Sequence, residues 1–231
     1  MPNLHIPLKN TPAHPGNYGG KLDKVEWIVV HYTANDGDTD ENNGKYFGKE
    51  LERKASAHLF VDDDSATISV PLTSVAFHCG TTGKYKHPTC RNSNSIGVEI
   101  CDDVRNGKIY PSTKTIENVL AVVRWLMEKY NLPKERVIRH ADVTGKACPA
   151  YWVDDAKWKS EFWDRLEDEM TQEQFDKMMD AWLAKREKMA TSAWAVKELG
   201  EAKAKGITDG TKPRAFATRE EVAAMVLRAT K

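Results

Sequence analysis

Two short segments set the strongest limit on what this chain can fold into. Trp27-Ile28-Val29-Val30 is an apolar run rich in β-branched residues, the composition of a buried strand, and it leads directly into His31-Tyr32-Thr33-Ala34-Asn35. Far along the chain, Val137-Ile138 predicts a second short strand running into Arg139-His140, followed by Ala141-Asp142-Val143-Thr144-Gly145-Lys146-Ala147-Cys148-Pro149. His31, His140 and Cys148, with Lys146 two residues before the cysteine, match three protein ligands of a zinc ion whose fourth position stays open. A hydrolytic zinc needs that open position for water, whereas four protein ligands would point to a structural site. Soft thiolate beside imidazole favours zinc over magnesium or calcium. The alternative is three unrelated core or surface residues, which is the usual reading for any one histidine. As a set with Lys146, they point to a metal that cuts a bond.

The pattern around these segments is that of an α/β fold. Residues 38–53 predict a helix, with Tyr46, Phe47 and Leu51 spaced for one face, and residues 57–61, 67–70 and 95–101 predict strands separated by polar turns. The last of these places Ile96, Val98 and Ile100 on one face and Gly97, Glu99 and Cys101 on the other. Residues 113–130 form the clearest helix: Ile116, Val119, Leu120, Val123, Leu126, Met127 and Tyr130 recur at helical spacing, and Asn131 and Pro133 stop it. Residues 154–166 predict an amphipathic helix with Trp158, Phe162, Trp163 and Leu166 on one side. A mixed central sheet flanked by helices, with a metal cleft, follows from this order.

Composition shifts after Leu166. Residues 167–190 are charged and rich in methionine, and they predict an exposed connecting helix with a stripe of Phe175, Met178, Met179, Trp182 and Met189. Residues 191–231 predict a compact unit: a helix to Ala204, a turn through Gly206-Ile207-Thr208-Asp209-Gly210, and a second helix opened by a Thr218/Glu221 capping box. Such a unit has a marginal core alone. The expected division is therefore 1–166, 167–190 and 191–231.

Acidic and basic residues balance at 34 each, so no global field draws in nucleic acid or an anionic membrane. No apolar stretch is long enough to span a bilayer. The first residues lack the pattern of a secretory signal, so synthesis is expected to leave the protein in the cytoplasm. That origin argues against a disulfide framework built from Cys79, Cys90, Cys101 and Cys148. Cys79 and Cys90 flank one loop and could pair in an oxidising compartment, and Cys101 reads as a small buried hydrophobe.

These motifs resemble the type-2, zinc-dependent N-acetylmuramoyl-L-alanine amidases, which share a fold with peptidoglycan recognition proteins. The resemblance covers about residues 17–166. It rests on Ile28-Val29-Val30-His31-Tyr32-Thr33-Ala34, Ser56-Ala57-His58-Leu59-Phe60-Val61-Asp62, Ala76-Phe77-His78-Cys79-Gly80, Asn92-Ser93-Asn94-Ser95-Ile96-Gly97-Val98-Glu99-Ile100, and the segment from His140 to Pro149. It implies zinc ligands at His31, His140 and Cys148, and a substrate, peptidoglycan, cut between the lactyl group of N-acetylmuramic acid and L-alanine. Trp194-Ala195-Val196, Gly206-Ile207-Thr208-Asp209-Gly210-Thr211 and Ala217-Thr218-Arg219-Glu220-Glu221 resemble a single S-layer-homology unit, which binds wall polymer or dimerises the chain. Together the parts resemble a modular phage endolysin that acts on the host wall after release.

Further residues take roles within that frame. Glu99 is a carboxylate in an apolar strand, and an unpaired buried carboxylate is costly, so it faces solvent, a partner or a cleft. In a cleft it is the proton shuttle between attacking water and leaving amine, with Tyr32 or Tyr46 as the fallback. Lys146, otherwise a solvated loop lysine, would stabilise the oxyanion on the amide carbonyl. Tyr32, His58 and His78 are candidate substrate contacts, against hydrogen-bonded structural histidines in the latter two cases. Two other functions remain open at this stage: a cytosolic amidase recycling muropeptides, and a peptidoglycan-binding module without catalysis. Non-catalytic relatives lack the cysteine ligand, which Cys148 supplies here.

Overall fold

Alternation along the strands decides which side of the sheet becomes core and which becomes site. The computed structural model describes residues 4–35, 37–80, 83–105, 108–167 and 172–230. The strands are β1 (Leu8–Asn10), β2 (Tyr18–Lys21), β3 (Trp27–Tyr32), β4 (Leu59–Val61), β5 (Ala66–Ile68), β6 (Ser74–Ala76), β7 (Ser95–Ile100), β8 (Asp103–Arg105), β9 (Lys108–Tyr110) and β10 (Val137–Arg139). Six of them form a mixed sheet in the order β1-β5-β4-β7-β3-β10. β3 runs parallel to β7 and β10, β7 runs parallel to β4, and β4 runs antiparallel to β5. β2 pairs with β6, and β8 with β9, each antiparallel.

One face of the sheet carries Ile28 and Val30 from β3, Ile96, Val98 and Ile100 from β7, and Leu59 and Val61 from β4. Helix α2 (Thr113–Tyr130) covers that face with Ile116, Val119, Leu120, Val123 and Leu126. Ser112 caps it by accepting the Thr115 N–H, and Asn131 ends it in the left-handed region at φ 51°. Full burial of each such side chain contributes about 1.5–3 kcal/mol, so this layer dominates the stability of the unit. Period-2 alternation sends Val29 and His31 of β3, and Gly97 and Glu99 of β7, to the opposite face.

The spacing over 38–53 gives a shorter helix than it predicts, α1 (Asp40–Phe47). Asn42-Asn43-Gly44 are poor helix formers, and the Gly48 N–H closes the last turn on the Gly44 carbonyl at 3.0 Å, leaving Leu51 beyond it. Residues 154–166 depart further. A single helical turn, α4 (Asp155–Trp158), passes into a π turn over Lys159–Trp163 and a 3-10 turn over Asp164–Leu166. Glu161 is held by the Trp152 indole N–H (2.8 Å) and the Tyr110 hydroxyl (2.5 Å), long-range demands that local periodicity does not encode. The apolar side survives, with Trp158, Phe162 and Leu166 buried.

The chain divides into two compact units, Met1–Asp168 and Glu169–Lys231. The second holds α5 (Gln172–Glu187), α6 (Val196–Ala204) and α7 (Arg219–Ala229). Residues 168–171, where the sequence pattern places the start of the connecting helix, lie outside the described residues. Thr218 and Glu221 make the capping box at α7: the Thr218 N–H donates to Glu221 and the Glu221 N–H donates to Thr218 Oγ1.

Candidate metal centre and catalytic cleft

The site forms at the carboxyl ends of the central parallel strands, where open α/β sheets leave a crevice. His31 stands near the end of β3, in register with Glu99 of β7, so parity puts both side chains on the face opposite the α2 layer. His140 follows β10 and opens the short helix α3 (His140–Thr144). Gly145, at φ 83°, ends α3 in a conformation that favours glycine and turns the chain back towards Cys148, whose carbonyl accepts the Ala141 N–H at 2.9 Å. Arg139 pins this turn. Its buried guanidinium reaches Asp142 (2.6 Å and 3.0 Å), Asp155 (2.6 Å) and the Trp152 carbonyl (2.9 Å).

This local folding brings together three residues far apart in sequence. One ligand atom from each of His31, His140 and Cys148 lies within 4.8 Å of the others, and all three residues are buried. Cys148 Sγ is 3.8 Å from His31 Nδ1. Neither ring nitrogen of His140 has a well-formed hydrogen bond among the described residues, although the Gly80 backbone lies beside the ring. Burial, then neighbouring positive groups, drive the pKa of His31 well below its usual value, and burial with the Lys146 charge lowers that of His140 to about 4. Both rings are therefore neutral at neutral pH, as ligands must be. Burial and the Glu99 charge push the Cys148 thiol up to about 12, against the Tyr32 backbone, which favours the thiolate. A bound cation supplies the charge that would deprotonate it. Converging donor atoms, neutral imidazoles and an N/N/S donor set fit zinc.

A second acidic group, Asp40, Asp62 and Asp64, does not make a comparable site. Asp40 already accepts the Ser65 and Thr67 hydroxyls, and Asp62 the amide N–H groups of Asp40, Asp64 and Ser65. It ties α1 to the β4–β5 turn.

Glu99 is half-buried and its Oε2 is shielded from solvent without a hydrogen-bond partner among the described residues. Burial raises its pKa to about 8, Lys146 draws it down, and Asp102 raises it. Lys146 is exposed on the α3–Cys148 turn, and its charge is felt at His31, His140, Glu99 and Cys148. Tyr32 is half-buried with its ring edge-on to Tyr151 at 5.5 Å. The Tyr151 hydroxyl is itself buried without a hydrogen-bond partner among the described residues, within electrostatic reach of Glu99, Asp102 and Cys148.

His58 and His78 are placed differently from the substrate contacts the sequence suggests. His58 is fully buried with both nitrogens engaged, Nε2 with the Ser74 carbonyl (3.0 Å) and Nδ1 accepting the Gly97 N–H (2.9 Å). His78 is 7% exposed and lies under His31, its Nδ1 3.0 Å from His31 Nε2. Neither presents a free ring nitrogen to a ligand. Tyr46, the fallback shuttle, is 56% exposed on α1 against Phe47. Sequence reasoning passed over Arg139, Ser95 and Tyr151. Of these, only Arg139 carried a signal, as a charge at the end of a buried strand pattern.

Comparison with known proteins decides the family. The model for N-acetylmuramoyl-L-alanine amidase matches residues 21–151, more than half of the chain. The chain belongs to this family. Within it, the chain is 37% identical over 152 residues to the N-acetylmuramoyl-L-alanine amidase CwlL of Bacillus licheniformis, covering 62% of this chain and 41% of that one. It is 34% identical over 181 residues to the N-acetylmuramoyl-L-alanine amidase BlyA of Bacillus subtilis strain 168, covering 73% and 47%. The chain thus spans less than half the length of these curated relatives. The solved structure of PlyL superposes with a TM-score of 0.57 at 30% identity, covering 71% of this chain and 98% of PlyL. The amidase match takes in His31, Glu99, His140, Lys146 and Cys148, and ends at Tyr151.

Proposed function

We propose that this amidase-family chain hydrolyses the amide between the lactyl group of N-acetylmuramic acid and the L-alanine of the peptide stem, as a lysin acting on bacterial peptidoglycan. One observation supports this above the others: an orphaned carboxylate oxygen on Glu99 stands in register with His31, beside the convergent His31, His140 and Cys148 donors. Those three would hold zinc. When bound, zinc supplies a Lewis acid for the scissile carbonyl and lowers the pKa of water towards about 7.

The chain's own residues supply the rest. Glu99 Oε2, without a hydrogen-bond partner among the described residues, accepts a proton as water forms its bond to the carbonyl carbon. The same proton passes to the amine nitrogen as the carbon–nitrogen bond breaks, and the new carboxylic acid gives its own proton to the medium, leaving a carboxylate on the lactyl group and a free L-alanine amine. Lys146 at the rim stabilises the negative charge on the carbonyl oxygen. Tyr32 and Tyr151 form an aromatic wall on the Cys148 side.

The second unit is proposed to serve delivery. Its S-layer-homology-like region at 191–231 leaves Trp194 82%, Phe216 63% and Leu227 61% exposed, apolar surface suited to a wall polymer or to a second copy of the chain. The enzyme would then act at the wall after release from the cell that makes it. No helix among the described residues is long and apolar enough to cross a membrane.

Digestion of purified walls, with the new termini identified by mass spectrometry, tests the reading. Free L-alanine amines matched by lactyl carboxylates are expected. Turnover of soluble muropeptides with none on walls would favour a recycling enzyme, and wall binding without new termini a recognition module.

A further inference from the structure

His31 has two ring nitrogens, and the three-donor cluster can use only one of them. We infer that Arg91, Ser95 and His78 form a hydrogen-bond relay that fixes the proton of His31 on Nε2 and so presents a bare Nδ1 to the metal. The inference rests on the zinc reading above and extends it to residues outside the ligand set.

The proton inventory runs inward from a carbonyl, which can only accept. Ser95 Oγ donates its one hydrogen to the Arg91 carbonyl at 2.6 Å. His78 Nε2 lies 3.2 Å from that same Oγ, so it must be the donor, which leaves His78 Nδ1 as an acceptor on a neutral ring. His31 Nε2 lies 3.0 Å from His78 Nδ1. Two bare nitrogens at that distance would repel, so His31 Nε2 carries the hydrogen. Cys79 Sγ lies 3.2 Å from His78 Nδ1, but its one hydrogen is donated to Cys90, which leaves the Nδ1 lone pair to His31. His31 Nδ1 is then unprotonated, on the side where Cys148 Sγ stands 3.8 Å away.

Gly97 makes room for the relay. A Cβ at this position would sit 2.6 Å from His78 Cγ and 2.8 Å from His78 Nδ1, so a single methyl group would displace the ring. A glycine within a strand of Ile96, Val98 and Ile100 marks such a close approach. Serine, histidine and glycine therefore act through His31 as positioning residues, with no contact to substrate. Such outer partners typically change metal affinity by about 10- to 100-fold.

Nitrogen NMR of the full chain reads the tautomer directly. In the metal-free wild type, His31 is expected with its proton on Nε2, and zinc is expected to shift Nδ1. A proton on His31 Nδ1, or zinc acting at Nε2, overturns the relay. His78→Leu is expected to bind zinc about 10- to 100-fold more weakly in a chelator competition. His78→Asn, whose oxygen can still accept the His31 proton, should stay within a few-fold of wild type. Equal zinc affinity in a folded His78→Leu overturns the relay. If that variant does not fold, the wild-type nitrogen shifts decide alone. Failure of the wild type to bind zinc counts against the metal reading instead, and the metal-free shifts still test the relay.

Discussion

The two units of this chain solve the problem of folding in opposite ways. Met1–Asp168 buries a continuous layer of Ile28, Val30, Ile96, Val98 and Ile100 under α2, and carries the candidate metal cleft on the other side of the same strands. In Glu169–Lys231 no described residue is fully buried, and Trp194, Val196, Phe216, Val226 and Leu227 stay more than half exposed. Its order rests on local devices: the Thr218/Glu221 capping box, and the Arg186 guanidinium over the Trp182 (5.0 Å) and Phe216 (4.8 Å) rings. A cleft that holds a metal and excludes water needs the first kind of unit. A surface that meets an insoluble partner can be built from the second.

The largest effects are expected from the donor set. His140→Ala or Cys148→Ser should abolish hydrolysis and zinc retention in the full chain, as metal analysis and wall digestion will report, and the amount of chain that sediments with walls should not change. Next, Glu99→Gln should lower turnover roughly 100-fold or more, the scale for losing a general acid or base, with zinc still bound. Near-normal turnover in that variant would move the proton shuttle to Tyr32.

A chain ending at Asp168 separates the units. It should fold, bind zinc and cleave soluble muropeptides at close to the full chain's rate, yet lose most activity on intact walls, since tethering raises local concentration without new contacts at the site. Equal activity on walls would leave the second unit without a delivery role. Sedimentation of the full chain with and without walls, compared with its mass in solution, then distinguishes polymer binding from dimerisation.

The smallest effect concerns pH. A carboxylate base works only when ionised, so activity rises as pH passes upward through the pKa of Glu99, about 8 without metal. Lys146 lowers that pKa, as a bound cation would, so Lys146→Ala should move the rising limb to higher pH by up to about one unit, besides lowering turnover. A shift to lower pH would contradict the assignment of Glu99 as base.

Much of the first unit was legible in the sequence because periodicity and composition are local. The strand at His31, the helix over Thr113–Tyr130 and the face assignment of Glu99 all follow from spacing, and the structure has them at those positions. What was not legible depends on tertiary partners. The broken turns after Asp155 answer to Trp152 and Tyr110 holding Glu161. His58 and His78 read equally as substrate contacts or as hydrogen-bonded structural histidines, because a histidine's spacing does not reveal whether its nitrogens are already engaged. Here they are, with Ser74, Gly97, Ser95 and His31. Ser95 looked like an ordinary strand start, and only its bond to the Arg91 carbonyl gives it a role.

The most direct test of the assignment of all the chemistry to the first unit is removal and return of metal on the full chain, with the cleavage products sequenced. The metal-free protein should release nothing from purified walls, and one zinc per chain should restore release of stems beginning with a free L-alanine amine. Full cleavage by protein shown to be metal-free, or new termini at any other bond, would contradict it.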